Sequence, residues 1–568
     1  MSSLEERIQI RSIYTRSINL PRDHDNLERV RAYVPTTRAM QALERIAEGL
    51  GRGSRQRALA LIGPYGAGKS AFALFLSALL APGRHATHQA ALEVLSHAQP
   101  VLAARFIPKN ADTRGFLRVP INGIPDSLVR QLLLALAAAA EQEQLSPALI
   151  SDMRAAAQPG TPLDQVMALV RRVQTLWAAK NGAGLLIEID ELGKLLEYAA
   201  YHPQHREIHL LQLLAEHAQE AHGAPLHMLV LLHQGFAQYS QRLSKQLRDE
   251  WHKVQGRFET LAFLEPAEQA LRVIAATFAP RDAALAPEVV ARLRAAVALL
   301  DEAGALPLGL HRQQATTLVQ RCYPLHPLTL LILPPLCQKV AQNERSLFAY
   351  LGSREPFGLR ERLGQMQMGD WIEPWELYDY FMLNAPGEFS DPLTHHRWVE
   401  VVTALERFDS PPDAAATRLL KTIGLLNLLG AQRGLKASPP LLRLLFGEES
   451  DALLKQLEAK SLIHFRHYGQ EYRVWQGSDF DMRTALQQVL AELGQRSLVD
   501  ILNTLAALGP LVARRATIKT GALRCFVPGF TASEYWPPRQ QDSAVLRLWF
   551  YLAEDAEVLP DLSAVSSG

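Results

Sequence analysis

The clearest chemical pattern in the sequence is a glycine-rich stretch that ends in a lysine and a serine. It matches G-x-x-x-x-G-K-[ST] at every position, and the residues we expect around a bound phosphate chain are Gly63, Pro64, Tyr65, Gly66, Ala67, Gly68, Lys69, Ser70 and Ala71. Glycines let such a loop curl so that backbone N–H groups point at phosphate oxygens, and the following helix adds a favourable dipole. Lys69 would reach the β- and γ-phosphates, and the Ser70 hydroxyl would bind Mg²⁺.

A second pattern is a pair of carboxylates, Asp190 and Glu191, directly after a largely apolar run at 185–189. Ligand sites of open α/β sheets lie at the carboxyl ends of their strands, where this pair would stand. We expect Asp190 to hold Mg²⁺ through water and Glu191 to polarise the attacking water. Together with the glycine-rich loop, the pair predicts a fold that binds and hydrolyses a nucleotide, with Lys69 and Glu191 as catalytic residues.

Short apolar runs alternate with helical patterns in the first half of the chain. We expect strands at 58–62, 115–121, 184–189, 226–232 and 260–264. Such alternation predicts an α/β fold built on a doubly wound parallel sheet. From about 266 the pattern becomes helical. Within 412–478, three helical segments precede two short strands, which is the outline of a winged helix.

These patterns divide the chain into five regions. The expected order is an N-terminal segment, the nucleotide-binding core, a helical lid with its linker, a winged-helix domain, and a C-terminal helical region with a tail. Their boundaries are 1–56, 57–265, 266–410, 411–480 and 481–568.

Composition bounds the class of protein. The chain has 568 residues, of which 48% are hydrophobic and 21% charged, which is ordinary globular usage and argues against intrinsic disorder. The formal net charge of +1 means that any binding of nucleic acid must come from a local patch. The three cysteines are far apart and form no disulfide or metal motif. No secretory start and no apolar run long enough for a bilayer stand out, so we expect a cytoplasmic protein without membrane contact.

Two histidines, His252 and His326, have no second ligand at metal spacing. We interpret both as core or capping residues.

The loop and the acidic pair resemble the AAA+ class of P-loop ATPases. The resemblance implies ATP as the nucleotide and a polar sensor of the γ-phosphate after the next strand, for which His233 and Gln234 are candidates. It also implies that Asn122 restrains the catalytic glutamate or simply occupies a turn.

The same resemblance suggests Tyr33, near the adenine side, as a residue that stacks on the base. The stretch 251–258 resembles the arginine-finger segment of initiator and clamp-loader ATPases, so Arg257 would act on a neighbouring subunit's ATP through self-association or would form a structural ion pair. The lid arginine of the family corresponds to Arg321 or Arg345.

Three further stretches, at 323–328, 342–348 and 475–481, look like those of large bacterial ATPases encoded in phage-defence islands. This resemblance implies a role in antiphage defence with partner proteins, and many of the relatives are longer than this chain.

Basic residues in 411–480 outnumber acidic ones. The cations are Arg418, Lys421, Arg433, Lys436, Arg443, Lys455, Lys460, Arg466 and Arg473, and the carboxylates are Glu448, Glu449, Asp451, Glu458 and Glu471. The excess favours contact with a DNA backbone, although winged helices also dock proteins. A second cluster at 514–524 (Arg514, Arg515, Lys519 and Arg524) contains no acid and suits either nucleic acid or a solvated face.

We therefore expect an ATPase that switches or remodels an assembly. Two other hypotheses remain open: an ATP-gated oligomerising sensor with slow turnover, and a scaffold that binds nucleotide without hydrolysis. An intact Glu191 argues against the scaffold.

Overall fold

The structure is a computed structural model. The residues that it describes are 4–51, 56–108, 110, 112–220, 224–239, 251–279, 284–340, 347–382, 392–411, 414–430, 434–475, 482–493, 497–505, 508–536 and 546–553. The chain divides into two compact units, Met1–Gln476 and Gly477–Gly568.

A five-stranded parallel sheet forms the centre of the first unit. Its strands are β1 (Ala58–Ile62), β2 (Phe116–Asn122), β3 (Gly184–Asp190), β4 (Leu226–Leu232) and β5 (Glu259–Ala262). Their order across the sheet is β2-β3-β4-β1-β5, and every neighbouring pair is parallel. Strands β3 and β4 are buried along their whole length, which explains their largely apolar sequences.

Helices cover both faces of this sheet because each crossover between parallel strands carries them. One face packs against the helix that follows β1, Lys69–Leu79, and the other against the helices that follow β2. The remaining helices of this region are Ser12–Thr15, Leu20–Asp23, Leu27–Arg31, Thr37–Gly49, Ala86–Ala98, Pro100–Ala104, Leu128–Gln142, Pro147–Ala156, Leu163–Ala179, Leu192–Tyr201, Glu207–Ala218 and Phe236–Tyr239.

A helical region follows the sheet. Its helices are Ala267–Thr277, Pro287–Glu302, Arg312–Arg321, Pro327–Val340, Leu347–Gly352, Leu359–Gln365, Pro374–Met382 and Pro392–Phe408. We refer to the part from 267 to 340 as the lid. N-terminal side chains belong to the core of this region: Leu4, Ile8 and Ile10 pack with the buried residues of the lid.

Three further helices and a hairpin complete the first unit, and we call residues 415–474 the hairpin module. The helices are Ala415–Leu429, Pro439–Phe446 and Ser450–Ala459, and the strands β6 (Ile463–Arg466) and β7 (Glu471–Val474) are antiparallel. Asn427 fixes the hairpin to the first of these helices, since its amide donates to the Tyr472 carbonyl and its Oδ1 accepts from the Val474 N–H, both at 2.9 Å. The module shares one hydrophobic core with the lid, so no separate core begins at 411.

The second unit contains more strand than we expected for 481–568. Helices Met482–Leu493, Leu498–Leu505 and Arg514–Thr520 accompany a three-stranded sheet of β8 (Leu511–Val512), β9 (Cys525–Ala532) and β10 (Arg547–Leu552). We expected a C-terminal helical region and a tail here, and the structure adds this sheet. β10 is rich in aromatic residues, the composition that favours strands, and a strand prediction could have rested on it.

The predicted fold class is confirmed in outline: an α/β P-loop sheet is followed by a largely helical region. In the part of the chain that is described, no helix has both the length and the apolar content to cross a membrane.

Candidate functional site

The glycine-rich loop lies between the end of β1 and the helix Lys69–Leu79, as the motif requires. Gly68 caps that helix in a left-handed conformation, with φ of 86°, which a residue with a Cβ adopts only with strain. Gly63 packs so closely on the chain after β5 that a Cβ there would overlap the Phe263 carbonyl oxygen. Both glycines are thus required by the backbone path of the loop.

Lys69 is buried beneath this loop. Its ammonium group donates to the carbonyl oxygens of Gly63 at 2.6 Å and Pro64 at 2.8 Å. Burial lowers the pKa of Lys69 to about 8, against the opposing effect of the nearby Asp190 and Glu191 charges. The lysine is therefore held at the inner side of the loop with its charge only partly compensated, and a triphosphate would supply the missing negative charge.

Ser70 and Asp190 meet at the point where the motif predicts a metal ion. The Ser70 hydroxyl hydrogen-bonds to the Asp190 carboxylate, and Asp190 Oδ1 also accepts from the Glu191 N–H at 2.8 Å. Burial raises the pKa of Asp190 above its usual value. Oxygen donors of this kind fit Mg²⁺, which binds through one or two protein ligands together with phosphate and water. In the described residues no group of three His, Cys, Asp or Glu side chains forms a metal cage.

Glu191 directly follows β3 and precedes the helix Leu192–Tyr201. Its backbone is left-handed, with φ of 49° and ψ of 42°, which is uncommon for a residue other than glycine or asparagine. Its carboxylate contacts the ammonium group of Lys194, three residues along the same helix. The structure thus brings the predicted water-polarising carboxylate to the edge of the sheet where Lys69 and Asp190 lie.

Asn122 ends β2 and is the register partner of Asp190 on β3. The next residue, Gly123, donates its N–H to the Asp190 carbonyl at 2.8 Å. Asn122 is therefore adjacent to the acidic pair.

Of the two sensor candidates after β4, His233 contacts the phosphate-binding loop. Its ring stacks on Tyr65, with centroids 3.2 Å apart, whereas Gln234 is exposed. Burial, together with the charges of Lys69 and Lys194, lowers the pKa of His233 to about 3, so the ring is neutral at physiological pH. Neither ring nitrogen has a hydrogen-bond partner among the described residues. Of the two side chains, His233 is thus the one for which the structure shows a contact with the loop.

Tyr33 packs against the helix that follows the loop and already has an aromatic partner. Its ring stacks on Phe75 of the helix after the loop, with centroids 4.2 Å apart. Burial raises the pKa of Tyr33. The resemblance implied that Tyr33 stacks on a base. Because Phe75 covers one face of the ring, a base would have to stack on the opposite face.

A cleft of about 630 Å³ lies between the N-terminal segment that follows Tyr33 and two helices of the lid. This volume is in the range of small-molecule sites. The lining residues are Val34, Pro35, Thr36, Thr37, Met40, Ala98, Gln269, Arg272, Ala275, Ala276, Leu318 and Arg321. Thr36 also contacts the Glu265 carboxylate, which ties the wall of the cleft to the start of the lid.

One of the two candidates for a lid arginine lines this cleft. Arg321 lines it, and Arg345 lies outside the described residues. Arg272 is a second lid arginine at the cleft that we did not predict, and it forms a 2.8 Å ion pair with Glu268. Sequence alone gave no reason to select it among the helix arginines.

Arg257 forms an ion pair within its own chain. Its guanidinium lies 3.0 Å from a Glu216 carboxylate oxygen, and its side chain is 46% exposed. Within the single chain, Arg257 thus forms a structural ion pair. Its side chain is exposed enough to be accessible to a neighbouring subunit.

Many cations of the hairpin module are engaged inside the protein. Lys421 is buried in a 2.6 Å ion pair with Asp379, Arg473 pairs with Glu471, and Arg418 lies over the Trp375 ring. Arg433 lies outside the described residues. The charge count of the sequence therefore overstates the cationic surface of this module.

The cationic cluster at 514–524, in the second unit, differs from the hairpin module in its exposure. Arg514, Arg515, Lys519 and Arg524 are all exposed, and none of them has an ion pair with another described residue. It offers a more accessible group of positive charges than the hairpin module.

His326, which we interpreted as structural, accepts the Leu328 N–H at 3.2 Å near the start of its helix. Burial and the Arg292 charge lower its pKa to about 3.

The sheet order, the loop after β1 and the acidic pair after β3 define a P-loop nucleoside-triphosphatase fold. No protein-family model matches the chain, and no curated protein has a significantly similar sequence. Among solved structures, the chain is similar to the Aeropyrum pernix ORC2 protein in two forms. The ADPNP-ADP complexes have 12% identity and a TM-score of 0.31, over 86% of this chain and 98% of the other. The ADP form has 12% identity and a TM-score of 0.30, over 86% and 100%.

Proposed function

We propose that this protein binds ATP with Mg²⁺ and hydrolyses it to ADP and phosphate. The observation that carries the proposal is the convergence of Lys69, Ser70, Asp190 and Glu191 at one edge of the sheet, with the Ser70 hydroxyl bonded to the Asp190 carboxylate. A buried lysine, a buried carboxylate and a second, more exposed carboxylate are the groups that phosphoryl transfer to water needs.

Each group has a distinct task in this proposal. The loop N–H groups and Lys69 bind the phosphates, and Ser70 with Asp190 would hold Mg²⁺, which supplies charge neutralisation to the triphosphate. Glu191 accepts a hydrogen bond from the attacking water and orients it. His233, neutral and stacked on Tyr65, offers a ring N–H to the phosphate side of the site.

The test is phosphate release by the purified full chain with ATP and Mg²⁺. We expect turnover by the wild type, loss of turnover with retained ATP binding in Glu191→Gln, and loss of binding in Lys69→Ala. If the wild type and Glu191→Gln hydrolyse ATP equally slowly, the protein binds ATP but does not catalyse its hydrolysis. That result would favour the scaffold hypothesis over the ATPase.

The adenine and ribose would occupy the cleft of about 630 Å³, with Arg321 at its lid side. This placement is supported by the position of the cleft beside Val34 and Thr36, close to the residue that stacks on Phe75. Because Arg321 belongs to the lid, nucleotide would draw the lid towards the core. Arg321→Ala should weaken ATP binding, and protection of the lid from hydrogen exchange should show the coupling.

Self-association is the proposed role of Arg257. Breaking the exposed ion pair with Glu216 has a small energetic cost, so the arginine can exchange that partner for a neighbour's phosphate. In mixtures, an Arg257→Ala subunit that retains ATP binding should lower the activity of wild-type neighbours. If the rate per wild-type subunit is unchanged, Arg257 is a structural residue.

We further propose that the hairpin module is a winged helix and that the protein acts on DNA. The exposed cations at 514–524 support contact with a phosphate backbone, and the engaged cations of the hairpin module favour a smaller contribution from that module. Binding to a DNA duplex should fall steeply with salt. Replacing Arg514 and Arg515 by alanine should reduce that salt dependence.

The cellular setting we propose is the cytoplasm of a bacterium, in an antiphage defence assembly with partner proteins. It rests on the resemblance of the stretches at 323–328, 342–348 and 475–481 to phage-defence ATPases. A plaque assay would test this setting by comparing phage protection by the surrounding genes with the wild-type chain and with Lys69→Ala. If the proposal is correct, protection is lost with Lys69→Ala because it depends on the ATP site.

A second function is favoured by the contact between Lys194 and Glu191, which suits slow turnover. An ATP-gated switch would oligomerise on ATP binding, and Glu191→Gln would retain its signalling. An ATPase motor would lose its action in the same variant.

A further inference from the structure

Lys194 is the one described cation that contacts the catalytic carboxylate in the ATP site. Its ammonium group forms an ion pair with Glu191 Oε2, and both side chains are partly exposed, Lys194 at 43% and Glu191 at 26%. The Lys194 N–H also closes the first turn by donating to the Glu191 carbonyl at 3.1 Å. Side chain and backbone of Glu191 are therefore both tied to the same residue.

The position of Lys194 is unfavourable for a helix considered alone. It lies in the first turn of Leu192–Tyr201, where the helix dipole disfavours a cation. An i,i+3 pair with glutamate offsets this by a small amount. The left-handed backbone of Glu191 adds local strain. Unfavourable local choices that coincide at a reactive residue point to a functional constraint.

Lys194 also lies close to the residue after β4. Its charge contributes to the lowered pKa of His233, whose ring is stacked on Tyr65 of the loop. Lys194 is thus near both the water-polarising carboxylate and the candidate sensor.

We propose that Lys194 is a positioning residue that holds Glu191 in a resting orientation and so limits basal hydrolysis. This inference rests on the proposed ATPase function. The ion pair fixes the orientation of the whole carboxylate, so Glu191 can turn towards the attacking water only when the contact with Lys194 opens. Basal turnover then scales with the fraction of molecules in which the ion pair is open.

The test compares steady-state ATP hydrolysis by the full-length wild type, Lys194→Ala and Lys194→Arg. We expect Lys194→Ala to raise kcat about two- to fivefold, the factor that corresponds to breaking a partly exposed ion pair, with KM for ATP changed less than twofold. Lys194→Arg keeps the charge and should restore the wild-type kcat. Lys194→Ala combined with Glu191→Gln should be as inactive as Glu191→Gln, because the gain passes through Glu191.

The matched control is Arg172→Ala. It removes a somewhat more exposed ion pair, Arg172 with Asp152 at 2.9 Å, whose side chains are 51% and 52% exposed. This pair joins two other helices, Pro147–Ala156 and Leu163–Ala179, and its loss should leave kcat unchanged. Should Lys194→Ala fold poorly, Lys194→Gln retains the length of the side chain and carries the same expectation.

Other outcomes overturn the proposal in recognisable ways. A kcat equal to that of the wild type would make the ion pair a helix-stabilising contact only. A lower kcat or a raised KM would make Lys194 a ligand of the triphosphate. In both cases the ATPase function stands. Absence of hydrolysis in every variant and in the wild type would instead remove the proposed function, and this inference with it.

Discussion

Replacing Lys69 by methionine should separate the binding role of this lysine from its cost to the fold. The side chain keeps its length but loses a charge that is buried and only partly compensated. The pKa of Lys69 is lowered from 10.5 to about 8 in the folded protein. By linkage, this shift corresponds to a destabilisation of about 3 kcal/mol at pH 7 relative to a neutral side chain.

The destabilisation by the Lys69 charge should decrease as the pH rises. Because the pKa of the folded state lies below that of the unfolded chain, the destabilisation is fully present below pH 8 and disappears as the pH rises towards 10.5. At pH 9.5 about 1 kcal/mol remains. The stability of the wild type relative to Lys69→Met should therefore improve by about 2 kcal/mol between pH 7 and pH 9.5.

The assay is urea or thermal unfolding of both proteins at the two pH values, with ATP binding measured in parallel. Lys69→Met also loses the hydrogen bonds to the Gly63 and Pro64 carbonyls. Their contribution to the free energy of unfolding is the same at both pH values, so it cancels when the two pH values are compared. Lys69→Met should bind ATP at least a hundredfold more weakly, since a buried charge-assisted contact is lost. A stability difference that does not change with pH would refute the account of Lys69 as a desolvated cation.

Three other predictions concern the same site. Gly63→Ala should abolish ATP binding because its Cβ would overlap the Phe263 carbonyl oxygen, whereas Gly235→Ala, which has open space around it, should bind normally in a titration with a fluorescent ATP analogue. Asp190→Asn should remove the part of the ATP-induced rise in Tm that depends on Mg²⁺, and an unchanged Mg²⁺ effect would exclude Asp190 as the metal-side residue. His233→Ala should lower kcat about tenfold or more with little change in the Kd for ATP, as expected for a group that acts on the transferred phosphate, and an equal loss in both would make it a packing residue for Tyr65.

The local sequence determined the strands and the phosphate-binding loop. β1 and β4 have the predicted bounds, 58–62 and 226–232, because continuous apolar runs between glycine, proline and polar residues leave little choice of register or length. The loop follows from the spacing of Gly63, Gly68, Lys69 and Ser70, since only that spacing brings the lysine and the serine to the first turn of the helix.

Partners in space were decided by the tertiary structure. The sequence offered both His233 and Gln234 as sensor candidates, and the structure stacks His233 on Tyr65 of the loop. It suggested a base for Tyr33, whereas Phe75 occupies one face of the ring. It counted Lys421 among surface cations, yet Asp379, from a helix 42 residues earlier, buries it in an ion pair.

The chain by itself thus determined which residues could handle a triphosphate, because those residues are contiguous and their chemistry depends on local backbone geometry. Which charges remain available was decided only by folding, since burial and long-range pairing depend on elements far apart in the sequence. Lys194 stands at the boundary between the two: its spacing from Glu191 is visible in the sequence, but its contact with the carboxylate depends on the left-handed turn that begins the helix after β3.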